Sequence, residues 1–217
     1  MKTKKNSRNI ILEKINRILQ RKREQNTLLP ISEVDMNLNV FGTTIENKIQ
    51  FFTDELRKVN GEVIICENEA QFICDLENLF HIEGWKSTYC LDESLQQFLA
   101  KAKLKFEDQK SEFRDMEIGF TTCEFGVART GSLLVSSKMI SGRQMNVYPP
   151  IHLVLLKFSQ LVNELEEAYQ AIYDKYAPDV PSMITLITGP SRTADIEKTL
   201  VIGAHGPKRL IVFLCQV

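Results

Sequence analysis

The 217-residue chain lacks several patterns that would assign it to common functional classes. Its five cysteines include no Cys-x-x-Cys pair and none of the spacings of a zinc or iron–sulfur site, which is typical of a reducing compartment. No apolar run approaches the roughly 20 residues needed to cross a bilayer, and no secretory signal pattern follows the first methionine. We therefore expect a soluble cytoplasmic protein without a metal site of its own.

The chain also lacks a strong net charge and a dinucleotide-binding fingerprint. Its 27 basic and 28 acidic side chains give a formal net charge of -1, so no overall field favours nucleic acid or an anionic membrane. No Gly-x-Gly-x-x-Gly sequence is present, and none of the repeats, heptads or biased segments of fibrous or disordered proteins is visible. A hydrophobic content of 43% is enough for one substantial core.

Residues 1–43 are predicted to form a basic amphipathic helix and, from 26 to 43, a connecting segment. Ile11, Ile15 and Ile18 recur at helical spacing among many lysines and arginines. A transit peptide or a membrane-surface anchor shares this pattern. The apolar stripe is narrow and has no aromatic residue, which favours docking of the helix onto the rest of the protein.

Residues 44–217 are predicted to form a single α/β domain. Strands are expected near 62–66, 116–122, 131–137, 151–157, 183–188 and 209–215, and helices near 44–58, from Asn68 onward, and near 92–102, 159–177 and 193–200. The strands are continuous apolar runs, which indicates a mostly parallel sheet covered by helices on both faces. Antiparallel or hairpin elements are expected between 104 and 158. Tyr169, Tyr173 and Tyr176 are interpreted as packing residues of the long helix.

Four segments in the second half of the chain resemble the LUD domain of the lactate utilisation protein C family. They are Gly-Phe-Thr-Thr-Cys-Glu-Phe-Gly-Val-Ala-Arg-Thr-Gly-Ser (119–132), Tyr-Pro-Pro-Ile-His (148–152), Gly-Pro-Ser-Arg-Thr-Ala-Asp-Ile-Glu (189–197) and Gly-Ala-His-Gly-Pro (203–207). The segments occur in the family's order, while the first hundred residues match only in layout. One departure is Arg129, at a position that is usually acidic in the family.

The resemblance implies a fold related to ribose-phosphate isomerase and the CoA transferases. It also implies a role, with two iron–sulfur partner proteins, in oxidising L-lactate to pyruvate. Such an oxidation needs an electron acceptor, and this chain has no flavin, nicotinamide or four-cysteine cluster motif. We therefore expect no cofactor in this chain and iron–sulfur clusters on partner subunits.

The segment from Gly189 to Thr193 is the first candidate ligand site. Gly189 allows a close turn, Ser191 and Thr193 offer hydroxyls, and Arg192 can bind a carboxylate or phosphate, all at the start of a predicted helix. Ordinary helix capping by Ser191 or Thr193 explains everything except Arg192. An arginine inside the turn therefore favours an anion site.

His205 and His152 are candidates for proton exchange or ligand binding, since histidine changes charge near neutral pH. A structural role suits each of them better, as a brace for a Gly/Pro turn or at the start of a strand. The positions of these two histidines relative to the strands conflict with that of Gly189. Both precede strands, whereas Gly189 follows one, so in a purely parallel sheet they lie at opposite edges. One pocket can include all three only if the strand at 151 or 209 runs antiparallel or the loops fold over.

Thr130 and Gly131 form a predicted turn with room for a close ligand, although a plain turn explains them as well. Glu124 is the carboxylate of the same segment, and CoA-transferase relatives use a glutamate as nucleophile. Its neighbour Cys123 is interpreted as a buried, inert thiol.

Three functions remain open from the sequence. The first is a component of an iron–sulfur lactate-oxidising system that binds an organic acid or phosphate-type anion. The second is a stand-alone isomerase or acyl-CoA-transfer enzyme that uses Glu124 or His205. The third is a non-catalytic interaction module.

Overall fold

The structure is a computed structural model that describes residues 8, 11–17, 45–108, 116–193, 201–203 and 205–217. The chain divides into two compact units, Met1–Thr44 and Ile45–Val217. In the first unit, residues 11–17 form a helix, α1, within the segment predicted to be an amphipathic helix. The predicted connecting segment 26–43 lies outside the described residues, and docking of the helix stays a prediction.

The second unit alternates helices and strands. In chain order they are α2 (Lys48–Lys58), β1 (Glu62–Cys66), α3 (Glu69–Glu83), β2 (Ser87–Tyr89), α4 (Glu93–Lys101), β3 (Lys105–Glu107), β4 (Ile118–Thr122), β5 (Phe125–Val127), β6 (Ser132–Ser136), β7 (Ile151–Lys157), β8 (Leu161–Val162), α5 (Leu165–Tyr176), β9 (Ile184–Ile187), β10 (Arg192–Thr193), β11 (Val201–Ile202) and β12 (Arg209–Cys215), with short 3-10 helices at Ala128–Thr130 and Phe158–Gln160.

The main sheet confirms the predicted α/β class. Within the described residues it has six parallel strands in the order β1-β12-β7-β4-β2-β3. A second sheet has the order β8-β5-β6-β9, in which β6 runs antiparallel to both β5 and β9. This sheet contains the hairpin expected between 104 and 158. A two-stranded ribbon joins β10 and β11.

Alternate side chains of the central strand β7 divide the core into two layers. Leu153 and Leu155 pack against α3 and α4 on what we call the helical face of the main sheet. Val154 and Leu156 pack on the opposite face, called here the inner face, against α2 and the second sheet. Each of these four side chains is almost fully buried, and burial of such a side chain contributes about 2 kcal/mol. Burial on both faces of the sheet therefore explains why β7 is a continuous apolar run in the sequence.

The helix predicted over 159–177 is shorter in the structure. Its first part is a 3-10 helix and strand β8, because Leu161 and Val162 pair with Gly126 and Val127 of β5. From Leu165, the helix α5 packs Ala168 and Ile172 on the outer side of the second sheet. Tyr176 joins this cluster.

The tyrosines of α5 differ in their surroundings. Tyr169 and Tyr173 are exposed, at 42% and 56%, so the interpretation of all three tyrosines as packing residues was correct only for Tyr176. The predicted helix 193–200 is also revised at its start, because Arg192 and Thr193 belong to strand β10. Residues 194–200 lie outside the described residues.

Local capping explains one helix start that the sequence predicted. The Asn68 side chain accepts a hydrogen bond from the backbone N–H of Gln71 at 2.9 Å, and the Gln71 side chain accepts one from the N–H of Glu67 at 2.9 Å. Every helix that the structure describes falls short of the length and apolar character needed to cross a bilayer.

Candidate functional site

A pocket of about 290 Å³ lies at the amino-terminal edge of the main sheet, where β7 and β12 begin side by side. We call it the amino-edge pocket. Its described lining residues are Val147, Tyr148, Pro150, Gly203, His205, Gly206 and Lys208. The Pro150 carbonyl accepts hydrogen bonds from the N–H groups of Lys208, at 2.7 Å, and Arg209, at 3.2 Å. These bonds fix the two strand starts that frame the pocket.

The segment after Gly189 reaches the same place. The N–H of Ser191 donates to the Pro207 carbonyl at 2.8 Å, and the N–H of Gly203 donates to the Ser191 carbonyl at 2.8 Å. A Cβ atom on Gly206 would lie 3.0 Å from the Ser191 Cβ and 3.2 Å from its Oγ. Glycine at 206 thus lets the two loops touch. Three of the four sequence segments that resemble the LUD domain meet around this pocket.

The second sheet resolves the topological conflict that the sequence raised. Gly189 follows β9, but β9 belongs to the second sheet, antiparallel to β6, and not to the parallel sheet. The chain can therefore leave β9 and arrive at the amino-terminal edge, where His205 lies on the loop before β12. Ser191 thereby lies beside Gly203 and Gly206, which line the pocket together with His205.

The described lining of the pocket is cationic. Lys208 is exposed, and its amine forms no ion pair with any described residue; no carboxylate is present among the described lining residues. Its aliphatic stem lies against Gly203, where a Cβ would be 2.2 Å from the Lys208 Cγ. The hydroxyl of Ser191 forms no hydrogen bond with the described part of the chain. An anion at the mouth would meet the Lys208 amine and the His205 imidazole, with Ser191 beside the lining residue Gly206.

His152 lies deeper, on the inner face of β7. Its side chain is fully buried, and its Nε2 atom lies 2.9 Å from the hydroxyl oxygen of Thr121 on the neighbouring strand β4. Its buried Nδ1 atom has no hydrogen-bond partner among the residues that the structure describes. Burial lowers the pKa of His152 to about 4, so the ring is neutral at pH 7.

Gly189 and Gly131 serve packing against α2. Both have positive φ, 79° and 57°. A Cβ on Gly189 would lie 2.5 Å from the Val59 carbonyl oxygen, and one on Gly131 would lie 2.2 Å from the backbone nitrogen of Leu56. These close approaches explain the two glycines without a ligand. For both residues the geometry favours packing over the predicted ligand role.

Other predicted ligand residues lie apart from the pocket lining. Arg192 is exposed on β10 opposite Ile202, and no described carboxylate pairs with it. Thr193 is half-buried opposite Val201. Thr130 is exposed and ends a short 3-10 helix. Neither threonine lies in the described lining of the pocket.

Glu124 lies at the opposite, carboxyl-terminal edge of the main sheet, just after β4. Its buried carboxylate accepts hydrogen bonds from Ser136 at 2.6 Å, Tyr176 at 2.7 Å and Lys175 at 2.8 Å. Burial acts most strongly and would raise the pKa of Glu124, but the hydrogen bonds from Lys175, Ser136 and Tyr176 together outweigh it and hold the pKa below its ordinary value. The geometry favours a structural link between α5 and the hairpin over a nucleophile, and it separates Glu124 from His205.

Cys123 and Arg129 complete this part of the molecule. Burial raises the pKa of the Cys123 thiol, in agreement with an inert side chain. The Arg129 guanidinium pairs with Glu164 at 2.6 Å and lies over the Phe51 ring, with 5.7 Å from Cζ to the ring centroid. Arg129 is therefore a cation that binds an acid at the start of α5.

A family model decides the relationship that the four segments suggest, because the LUD domain model matches residues 49–215. The chain belongs to the LUD domain family. An uncharacterised protein of Neisseria meningitidis is 38% identical over 101 residues, which are 46% of this chain and 42% of that protein. Lactate utilization protein C of Bacillus subtilis is 32% identical over 112 residues, 51% of this chain and 47% of that protein. The LUD chain thus spans less than half the length of these two curated relatives.

A solved structure of a DUF162 family protein from Deinococcus radiodurans has the same fold as this LUD domain. The TM-score is 0.58 at 15% sequence identity, and the similarity covers 77% of this chain and 96% of that one. At this identity the likeness concerns the fold alone.

Lys208 and Tyr148 are site residues that were not predicted from the sequence. Tyr148 opens the segment 148–152, and Lys208 directly follows the segment 203–207. Lys208 also lies directly before the apolar run of β12, where a charged side chain is easily noticed in the sequence. Both signals were visible, but only the pairing of β7 with β12 places these residues beside each other.

Proposed function

We propose that this LUD domain is a component of a lactate-utilisation system that binds a small organic acid or phosphate-type anion in the amino-edge pocket. The observation that carries the proposal is the cationic, carboxylate-free described lining around Lys208 and His205. The names of its relatives supply the metabolic setting, since lactate utilization protein C is the name of the Bacillus subtilis relative. Lactate and pyruvate are small carboxylates of the size that 290 Å³ accepts.

In this proposal, the carboxylate or phosphate is held by the Lys208 amine and the Ser191 hydroxyl, with His205 at the rim. Cation-to-anion hydrogen bonds are stronger than neutral ones, so Lys208 makes the largest single contribution. Oxidation of a 2-hydroxy acid requires an electron acceptor, which we assign to iron–sulfur partner subunits. This chain then binds the acid and holds it for oxidation by the partner subunits.

Exposed apolar side chains around the pocket support contact with a partner protein. Tyr148 and Val147 line the pocket and are 54% and 47% exposed, and Ile202, next to Gly203, is 44% exposed. Apolar side chains grouped beside a polar pocket are typical of a protein interaction surface.

A stand-alone enzyme that uses Glu124 has less support, because the Glu124 carboxylate accepts hydrogen bonds from three donors that enclose it.

Titration calorimetry with L-lactate, pyruvate and inorganic phosphate tests the anion site. We expect saturable heat with at least one of them and a loss of affinity of about tenfold in Lys208→Ala, from one charged hydrogen bond. Lys105→Ala is the matched control, since Lys105 is an exposed lysine on the edge strand β3. Equal affinity in the two variants would place the anion elsewhere.

Affinity capture tests the partner part of the proposal separately. The full chain and a Tyr148→Ser variant are used as baits in an extract of the source cells, and the captured proteins are assayed for iron and acid-labile sulfide. We expect iron–sulfur proteins with the wild-type bait and a reduced yield with the variant. Capture that yields no iron–sulfur protein contradicts the proposed partners but leaves the anion site standing.

A further inference from the structure

Two thiols lie side by side at the carboxyl-terminal edge of the main sheet. Cys66 is the last residue of β1 and Cys215 is the last residue of β12, and the two are register partners on these adjacent parallel strands. Both side chains belong to the core layer on the helical face, so they point to the same side of the sheet. Adjacent strands are about 4.8 Å apart, and a disulfide requires a Cα–Cα distance of about 4.4–6.8 Å. The backbone therefore already has the spacing of a disulfide.

The other cysteines have no such neighbour. Cys90 and Cys123 directly follow β2 and β4, which are three and two strands away from β12 in the main sheet. Cys74 lies on α3 and is exposed. Among the described strands, Cys66 and Cys215 are therefore the one pair of cysteines that share a register position.

The surroundings hold this pair in its protonated form. The Cys66 thiol donates to Oδ2 of the half-buried Asp75 at 3.7 Å. The hydrogen bond with Cys66 acts most strongly on Cys215, and burial and the Asp75 carboxylate add to it, so the pKa of the Cys215 thiol is raised. Because the thiolate is the reactive form, oxidation is slow. Both thiols are buried, but Glu67 and Gln216 beside them are exposed, and local opening of the two strand ends admits a small oxidant.

We propose that Cys66 and Cys215 are a redox-active pair that hydrogen peroxide converts into a disulfide within the folded domain. One thiol takes an oxygen atom from the peroxide, becomes a sulfenic acid and releases water. The other thiol attacks that sulfur, forms the S–S bond and releases a second water. The two thiols thus lose two electrons and two protons, which reduce one peroxide to two waters. This reaction is independent of the anion site, since the amino-edge pocket lies at the opposite edge of the sheet.

Mass spectrometry of the peroxide-treated full chain tests the pair. Trypsin leaves Cys66 and Cys74 in one peptide, 59–86, so the test protein carries Cys74→Ser at the exposed position. After peroxide treatment, the remaining thiols are blocked with N-ethylmaleimide and the protein is digested. We expect peptide 59–86 to be linked to peptide 210–217 and to be released by dithiothreitol.

The same treatment of the urea-unfolded protein is the control for proximity. In the unfolded chain all four remaining cysteines can meet, so the links should scatter over several pairs. A folded protein that lacks the link between 59–86 and 210–217, or that gains it only after unfolding, would overturn the proposal. Adding Cys215→Ser should remove the link.

Asp75→Asn tests what restrains the reaction. The amide keeps the shape of the side chain but removes the negative charge that disfavours a thiolate, so the disulfide should form several-fold faster. A rate that does not rise would contradict the restraining role of Asp75.

Calorimetric melting tests whether the bond fits the folded sheet. The linked protein should unfold about 5–10 °C higher than the reduced protein, because the link constrains the unfolded chain. Peroxide-treated protein with Cys74→Ser and Cys215→Ser should show no rise. A midpoint that is unchanged or lower in the linked protein would show that the folded geometry does not accommodate the disulfide, and would contradict the proposal.

Discussion

Ser191 occupies the space that a side chain at position 206 would need, with its Cβ 3.0 Å and its Oγ 3.2 Å from where the Cβ of residue 206 would lie. The loop before β12 and the loop after β9 meet at this point, one from each sheet. The pocket is therefore a property of how the two sheets are assembled. Its shape depends on keeping residue 206 small.

Gly206→Ala is expected to loosen the pocket. The added methyl group must displace Ser191 by a few tenths of an ångström, at a cost of about 1 kcal/mol in unfolding free energy, and lactate or phosphate affinity should fall several-fold. Urea unfolding and calorimetry measure the two effects. Adding Ser191→Gly removes the clashing atoms, so the double variant should recover stability. Additive losses would show that the two residues do not interact.

Gly131→Ala is expected to destabilise the domain strongly. The residue has φ 57°, and its Cβ would lie 2.2 Å from the backbone nitrogen of Leu56 in α2, which cannot move alone. We expect a loss of about 3 kcal/mol or more in urea unfolding. Gly142→Ala is the matched control, because its φ is 58° and no atom lies within 4 Å. That variant should lose only about 1 kcal/mol, the cost of a left-handed conformation. Equal losses would contradict the packing role of Gly131.

The agreement between sequence and structure is best for strands β1, β7 and β12, which have the predicted bounds. Strands β7 and β12 are mostly apolar runs enclosed by both core layers, and the edge strand β1 places Val63 in one layer and Cys66 in the other. Strand β8 could not be predicted, since Leu161 and Val162 are too short a run to differ from a helix start. Their conformation is decided by pairing with β5.

In the candidate site, too, the features that depend on local sequence could be predicted, and those that depend on tertiary pairing could not. The sequence segments around Ser191, Pro150 and His205 were recognisable in the chain. These segments lie together at one edge because β9 pairs with β6 in the second sheet. No local sequence pattern predicts that pairing. Gly131 and Gly189 fit both a ligand turn and a packing turn in the sequence, because close approach to a helix and close approach to a ligand demand the same backbone freedom.

Glu124 should make stability depend on acid pH. Its pKa is lower in the folded state than its ordinary value, so its contribution is present above the ordinary value, 4.5, and is lost as pH falls through the folded value. Glu124→Gln should cost about 2 kcal/mol at pH 7, since the charged acceptor of three hydrogen bonds is gone. Urea unfolding between pH 3 and 7 measures both. A variant with the same acid dependence as the wild type would show that other carboxylates control it.

Arg129 should be replaceable only together with Glu164. Arg129→Glu sets a carboxylate against Glu164 and near Glu55, so the midpoint of thermal unfolding should fall. The exchange of charges in Arg129→Glu with Glu164→Arg should recover much of the loss. Calorimetric melting compares the three proteins. Failure of the exchange to recover stability would show that the Phe51 ring, and not the ion pair, is the main partner of Arg129.

Amide chemical shifts of the wild-type domain during a lactate titration test the anion site most directly. We expect saturable movement of the signals of Ser191, Gly203, Gly206 and Lys208 around the amino-edge pocket, with little change near Glu124 and Lys175 at the opposite edge. Movement centred on Glu124 and Lys175, with the pocket signals unchanged, would contradict it.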